Sequence, residues 1–586
     1  MFNVTFWQRL MMRAILMGAF LISGSVWAQT IYPIDRATMV AGGQFDFKVE
    51  FSSIVSLSDV NISINGKDYQ QLLGKNVEFI EREEGENASA LWIRRASLAK
   101  PGQYQVTVQN GHNQAKVTWE VFATPKKPLA KNVILFIGDG LSVAHRTGAR
   151  ILSKGVTQGK ANAKLAMDDL PYMATVGTSG TDSIAADSAN TMSAYMTGHK
   201  SAANAMGVYE SRAKNSLAHP QQETLAELIK RTTKMSVGVV TDAEIEDATP
   251  AAVVAHTRRR SDKAEIVNMF FKVQPEVILG GGAAYFLPKS TQGSKRDDEI
   301  NYIQKFQDAG YTFVQDALSL EKQYPQSRQL LGLFHPGNLN DVLDRRFNGE
   351  ANKKQFSNQP DLTEMTKAAL DVLSKNKNGF FLMVESALID KASHRLDWER
   401  AFYNTIMLDQ SVAIAKKFAE THPDTLIIVT GDHTHALSIV GTVDDDKPGN
   451  EMRDKVGVYQ NAGYPNYKIN ANTGYPEDVN VSKRLAVFFA AYPDHYETFR
   501  PVLEGAFSPS VKNENGQYVA NPVYKNIRGA MWREGNLPKS EGEGIHAVDE
   551  MIVQGMGPGA GEIKGYLDNT DLFRIIVQSL ALGEKR

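Results

Sequence analysis

Between residues 29 and 122 apolar and polar positions alternate with period two, the pattern of strands that bury one face. "FDFKVEF" puts Phe45, Phe47, Val49 and Phe51 on one side, and "VNISING" puts Val60, Ile62 and Ile64 on one side before an Asn-Gly turn. "YQVTVQNGHNQAKVTWEV" is a hairpin about a second Asn-Gly pair, with Tyr104, Val106 and Val108 facing Val117, Trp119 and Val121. These strands predict a small antiparallel β-sandwich over residues 29–124, a binding or spacer module with no catalytic cluster of its own.

"ATPKKPLAK", residues 123–131, has the Pro and Lys content of a linker, and beyond it the pattern changes. "NVILFIG", "SVGVVT", "EVILGG", "FFLMVE" and "TLIIVT" are continuous apolar runs suited to strands buried on both faces. Helical stretches lie between them, most clearly "TLAELIKRT" and "ERAFYNTIMLDQSVAIAKKFAE". The alternation predicts an α/β domain over residues 125–586, a doubly wound, mostly parallel sheet flanked by helices. Residues 447–544 break the rhythm, being rich in Asn, Gly, Tyr and Pro with one helical passage, "VSKRLAVFFAAY". They read as a surface insertion that borders the site or an interface.

Composition narrows the classes. A chain of 586 residues with ordinary globular content is expected to form two or more folded units. A formal net charge of −2 with dispersed basic residues removes the electrostatic case for nucleic acid or an anionic membrane, leaving small molecules as partners. Arg9 and Arg13, the short apolar run "AILMGAFLI" and the small residues of "SGSVWA" read as a secretory signal peptide over residues 1–28, cleaved after Ala28. With no second apolar stretch of membrane length, the expected product is periplasmic or secreted, with no membrane span after signal removal. Cysteine is absent, which excludes thiol chemistry, Cys-type zinc fingers and iron-sulfur clusters, so any metal site must use His and carboxylates.

Ligands bind outside the carboxyl ends of the strands in an open α/β sheet. Three apolar runs end there in metal-capable residues: Asp139 after "NVILFIG", Glu385 in "FFLMVES", and Asp432, His433 and His435 after "TLIIVTG". An acid in such a place is also the ordinary cap of a following helix, and "GDG" also suits a tight turn. Asp390 and His394, four apart, share one helical face and can bind one ion or simply pair with each other. "DHTH" is the strongest local signal, since two His and an Asp directly after a buried strand are costly as core residues alone. Oxygen and imidazole donors without sulfur suit Zn²⁺, with Mg²⁺ at an all-oxygen position, and their number suggests more than one ion. Of two Asp-Ser pairs in "TDSIAADSANTMSAYMTGHK", the first lies among turn residues, whereas Ser188 opens a small-residue helical stretch whose N-terminus welcomes phosphate. "DATPAAVVAHTRRR" offers Arg258, Arg259 and Arg260 as a phosphate clamp, with at least one of them expected on a solvated face.

Together, "VILFIGDG", "ADSANTMSAYMTGHK", "EIEDATPAAVVAHTRRR", "GFFLMVESALIDKASH" and "IIVTGDHTHA" resemble the alkaline phosphatase family, in order, through most of residues 130–440. The sandwich lies outside the match. The resemblance implies a phosphomonoester hydrolase in which Ser188 forms a covalent phosphoserine and Arg260 clamps phosphate. It implies two Zn²⁺, one held by Asp390, His394 and a distant histidine, the other by Asp139, Asp432 and His433. One Mg²⁺ would sit on Asp139, Thr249 and Glu385, while Asp247, Lys391 and His435 would orient ligands and tune the magnesium site. The distant histidine is assigned to His546 in "GEGIHAVDEMIVQGMGPGA", over His495, whose "YPDHYETF" reads as a surface turn and helix start. A homodimer is compatible with the family. Two rivals remain: a phosphodiesterase or sulfatase of the same superfamily, and a non-catalytic exported metal-binding protein.

Overall fold

The computed structural model describes residues 29–347, 358–503 and 505–584; the expected signal peptide, residues 1–28, lies outside them. The chain divides into two compact units, the first built from residues 29–37, 46–96 and 103–120, the second from residues 38–45, 97–102 and 121 onward.

In the first unit one sheet runs Gln29–Tyr32, Gln44–Phe51, Ala90–Ser97, Glu78–Ile80, and the other runs Asn113–Phe122, Gly102–Asn110, Val60–Ile64, Lys67–Asp68. The registers Gln29↔Phe51, Phe79↔Leu91 and Ile62↔Val108 are antiparallel. Phe47, Val49, Val106, Val108 and Trp119 are fully buried, as period two requires. Gln44–Phe51 departs from simple alternation because Asp46, Lys48 and Glu50 on its other face are buried too. The Lys48 ammonium is matched there by Glu50 at 2.5 Å and Glu83 at 2.7 Å, and lies 4.4 Å over the Trp92 ring.

The second unit is organised by a ten-stranded sheet. In chain order its strands are β1 (Asn132–Gly138), β2 (Tyr172–Gly177), β3 (Ser236–Glu244), β4 (Val277–Gly281), β5 (Thr312–Val314), β6 (Leu330–Leu333), β7 (Phe380–Ser386), β8 (Thr425–Gly431), β9 (Met551–Met556) and β10 (Lys564–Asp568). Side by side they run β5-β6-β4-β3-β7-β1-β8-β9-β2-β10. All neighbours are parallel except β9, which is antiparallel to β8 and β2. Alternate residues of β1 enter different cores. Val133, Leu135 and Ile137 pack with helices α1 (Ser188–Thr197), α2 (Leu225–Thr232) and α5 (Asn569–Ser579), while Ile134 and Phe136 pack with α3 (Leu388–His394) and α4 (Trp398–Thr421). Helices on both faces are why the five apolar runs show no alternation. Among the described residues no helix is long and apolar enough to cross a membrane.

Among the described residues, no strand between residues 447 and 544 joins this sheet. Two expectations within that stretch are overturned. "VSKRLAVFFAAY" is not helical: Lys483–Phe489 is a strand, paired antiparallel with Leu437–Asp444. Its compact run of Leu, Val and Phe finds an edge to pair with, which decides between helix and strand where local pattern cannot. "YPDHYETF" is not a surface turn and helix start either, since His495–Glu497 pairs with Met531–Arg533 and His495 is buried.

Candidate active site and metal centres

Register brings the acids together. Ile137 on β1 lies opposite Glu385 on β7 and Thr430 on β8, and Gly138 lies opposite Ser386 and Gly431. The next residues, Asp139 and Asp432, therefore leave neighbouring strands at the edge that Glu385 occupies. α3 begins just past β7 and carries Asp390 and His394 one turn apart, with His394 Nε2 3.2 Å from Asp390 Oδ1. His546 reaches the same place from far along the chain, in a two-residue pairing His435↔His546.

Two groups of donors converge among the described residues: Asp139, Asp432 and His433, and Asp390, His433, His435 and His546, each with its ligand atoms within 4.8 Å of one another. His433 Nε2 is 3.2 Å from Asp139 Oδ1 and 3.5 Å from Asp432 Oδ2. His435, expected to support the ligands, sits inside the second group with Nε2 2.7 Å from Asp390 Oδ1, and His394 flanks it. Glu385 falls outside both groups and accepts the Thr241 hydroxyl at 2.5 Å. His495 belongs to neither.

The donor set fits cations. His394 Nδ1 donates to the Gly544 carbonyl at 2.6 Å and His546 Nδ1 to the Ala186 carbonyl at 2.8 Å, which turns both Nε2 lone pairs inward. Those two acceptors face each other at 3.1 Å, an arrangement that only a shared proton or a metal ion relieves. Asp139 Oδ1, Thr249 Oγ1 and Asp432 Oδ2 are buried without a hydrogen-bond partner. Burial, joined by neighbouring carboxylates, pushes Asp139 well above the usual carboxylate range; burial also raises Glu385 well above it and Asp432 to about 6. Burial drives His433 well below the imidazole range and His435 to about 4. Burial opposes charge on Asp390 as well, but His394 beside it, with hydrogen bonds from His435 and His546, holds it well below its ordinary value. Burial also opposes charge on His394, but Asp390 raises it to about 9, so without cations that pair stays charged while Asp139, Glu385, His433 and His435 favour their neutral forms.

Ser188 is the first residue of α1, whose N-cap Asp187 forms a reciprocal capping box with Asn190. Its hydroxyl lies 3.5 Å from Asp139 Oδ2 and 3.3 Å from His433 Nε2. Ser183 lies in an exposed turn, where its hydroxyl accepts the Ala185 N–H. Arg260 Nη2 is 3.0 Å from Asp247 Oδ1, and Nη1 is 3.8 Å from Asp187 Oδ2. Lys391 Nζ closes the chain of charges at 2.9 Å from Asp247 Oδ2. Of the other two arginines, Arg258 pairs with Glu210 and Arg259 is exposed. Asp187 and Thr241 are partners that the sequence reading does not include. An Asp placed three residues before Asn at a helix start carries a capping signal, whereas nothing local marks Thr241 as the partner of an acid 144 positions away.

An α/β fold with acids, imidazoles and a helix-start serine at its carboxyl edge defines, as a class, a metal-assisted hydrolase. The family model "Alkaline phosphatase" matches residues 130–582. Among curated relatives, alkaline phosphatase of Escherichia coli is 33% identical over 359 residues, covering 55% of this chain and 73% of that protein. Alkaline phosphatase 4 of Bacillus subtilis is 30% identical over 469 residues, 78% of this chain and 89% of its own. Among solved structures, alkaline phosphatase from Thermus thermophilus superposes with a TM-score of 0.55 at 21% identity, over 79% of this chain and 93% of that one. The chain belongs to the alkaline phosphatase family, and by that membership is a phosphomonoester hydrolase.

Proposed function

We propose that the protein hydrolyses phosphate monoesters of broad structure to alcohol and inorganic phosphate through a phosphoserine on Ser188, with two Zn²⁺ and one Mg²⁺. The observation that carries this reading is Ser188 Oγ at a helix N-terminus, within 3.5 Å of both Asp139 and His433 and beside the Arg260 clamp. Asp390, His394 and His546 would hold one Zn²⁺, Asp139, Asp432 and His433 the other, and Asp139, Thr249 and Glu385 the Mg²⁺. When bound, such ions would neutralise the anionic substrate, lower the pKa of a coordinated hydroxyl and bring that of a coordinated water to about 7.

Ser188 Oγ forms the new bond to phosphorus as the ester P–O bond breaks and the alcohol leaves with a proton. Water then breaks the Oγ–P bond, releasing inorganic phosphate and restoring the hydroxyl. Arg260, steadied by Asp247 and Asp187, keeps donors free for two phosphate oxygens. Asp247 stays ionised against its burial because Lys391, Arg260 and Lys263 surround it. His435 holds Asp390 in orientation.

The test compares rates on an aryl phosphate monoester, a diester and a sulfate ester. The monoester is expected to win, chelation to abolish turnover, and Zn²⁺ with Mg²⁺ to restore it. Ser188→Ala is expected to lose most turnover with the fold intact; near-normal rates in that variant, or a diester preferred by a wide margin, would refute the proposal. Export belongs to the same reading, and N-terminal sequencing of the mature protein is expected to begin at Gln29.

A further inference from the structure

Asp242 stands near the carboxyl end of β3, outside every motif above, and is 1% exposed. Its Oδ1 accepts the N–H of Ala387 at 2.6 Å and of Leu388 at 3.2 Å, and its Oδ2 accepts the Ser386 hydroxyl at 3.0 Å. All three groups lie in the junction between β7 and α3. That junction needs an acceptor from elsewhere, because the N-cap position of α3 is Ala387, whose methyl group accepts nothing. α1, α2 and the helix Leu362–Leu373 are capped by their own Asp187, Thr224 and Asp361. α3 is capped by a carboxylate 145 residues upstream.

Thr241 and Asp242 grip β7 and its exit in succession. Thr241 is opposite Glu385 in register and donates to its carboxylate, while Asp242 takes the next three residues. The polypeptide between Glu385 and Asp390 is this junction and nothing more. Its geometry fixes how Glu385 stands relative to Asp390, Lys391 and His394.

We infer that Asp242 is a positioning residue: by capping the β7–α3 junction it sets Asp390 and His394 against Glu385 before any ion arrives. The inference rests on the assignment of these residues as metal ligands. Its mode of action is hydrogen-bond acceptance, so the amide oxygen introduced by Asp242→Asn would serve the two backbone N–H groups, with the Ser386 hydroxyl turned to accept the new side-chain N–H.

The experiment uses the full chain, metal-free and reloaded, as Asp242→Ala, Asp242→Asn and a control, Leu331→Ala, which opens a cavity in β6 away from the rim. Zn²⁺ affinity is measured by competition with a chelator, and amide hydrogen exchange over residues 380–396 is followed in the metal-free protein. Asp242→Ala is expected to weaken Zn²⁺ binding by about 10–100-fold and to speed exchange over residues 386–391. Asp242→Asn is expected to stay close to wild type in both, and Leu331→Ala to lower Tm without moving either. The inference is overturned if Asp242→Ala binds Zn²⁺ as wild type does, if Asp242→Asn falls as far as Asp242→Ala, or if Leu331→Ala weakens binding equally. A wild-type protein that binds no Zn²⁺ sinks the ligand assignment itself, and exchange over residues 386–391 still decides whether Asp242 caps the junction.

Discussion

Replacing Arg260 separates substrate recognition from the chemistry at Ser188. The guanidinium is held by two carboxylates, at 3.0 Å to Asp247 and 3.8 Å to Asp187, and its side chain is 25% exposed, so one edge remains free for an anion. Burial disfavours its charge, but Asp247 and Asp187 raise its pKa further, so it stays cationic at every working pH. Hydrogen bonds to charged groups contribute about 1.5–3 kcal/mol each, so losing one of a bidentate pair lowers phosphate affinity roughly 10–150-fold. Inhibition by inorganic phosphate reads this directly, because it binds without turnover. Arg260→Ala is expected to raise the inhibition constant at least tenfold. Arg260→Lys is expected to recover little, because an ammonium cannot meet both carboxylates and two phosphate oxygens in one plane. Arg259→Ala, at the exposed neighbour, is expected to leave it unchanged. Equal losses at Arg259 and Arg260, or an Arg260→Lys enzyme that binds phosphate like wild type, would refute the clamp.

Two further perturbations test the surroundings. Glu399 is buried, and burial, with the charges of Asp397 and Glu497, raises it from 4.5 to about 8. The folded state therefore prefers the protonated acid, and that stability, complete below pH 4.5, is lost as pH rises to about 8. Glu399→Gln is expected to raise Tm at about pH 9 and not at about pH 4; an equal shift at both would exclude titration as the cause. Gly140 has φ +69°, and a Cβ there would lie 2.6 Å from His435 Cδ2. Gly140→Ala is expected to cost about 1–3 kcal/mol in unfolding free energy from backbone strain and to weaken metal binding as His435 is displaced from Asp390; unchanged affinity would show that the ring adapts.

The parts of this site legible in the sequence are those whose signal is local. Asp139 and Asp432 follow continuous apolar runs, Asp390 and His394 show helical spacing, and Ser188 opens a helix with its cap beside it. What is not legible is pairing. That Ile137 faces both Glu385 and Thr430 depends on strand order, which no single segment encodes. β2, β9 and β10 are hard to read for a related reason: β2 mixes exposed with buried positions, β10 exposed with half-buried ones, and β9 runs antiparallel between two strands that are brought together by the rest of the sheet.

The strand within the insertion shows the same limit from the opposite side. "KRLAVFF" is a continuous apolar run behind two basic residues and shows neither a helical nor a strand period, so its local pattern is silent. What decides is Leu437–Asp444, the strand that follows "DHTHA", which offers a free edge in the register Leu437↔Phe489 to Asp444↔Lys483. Pairing then buries Leu485 and Val487, and it also buries Arg484, whose guanidinium donates to the Phe499 and Val481 carbonyls and whose charge is balanced by Asp445 at 3.0 Å. Substituting Asp445 by Ala therefore leaves a buried cation with carbonyl acceptors but no counter-charge, at a cost of up to about 3–5 kcal/mol. Because Leu437–Asp444 begins two residues after His435, that loss is expected to reach the metal rim as weakened Zn²⁺ binding, and a variant that unfolds more readily yet binds Zn²⁺ normally would show the insertion and the site to be independent.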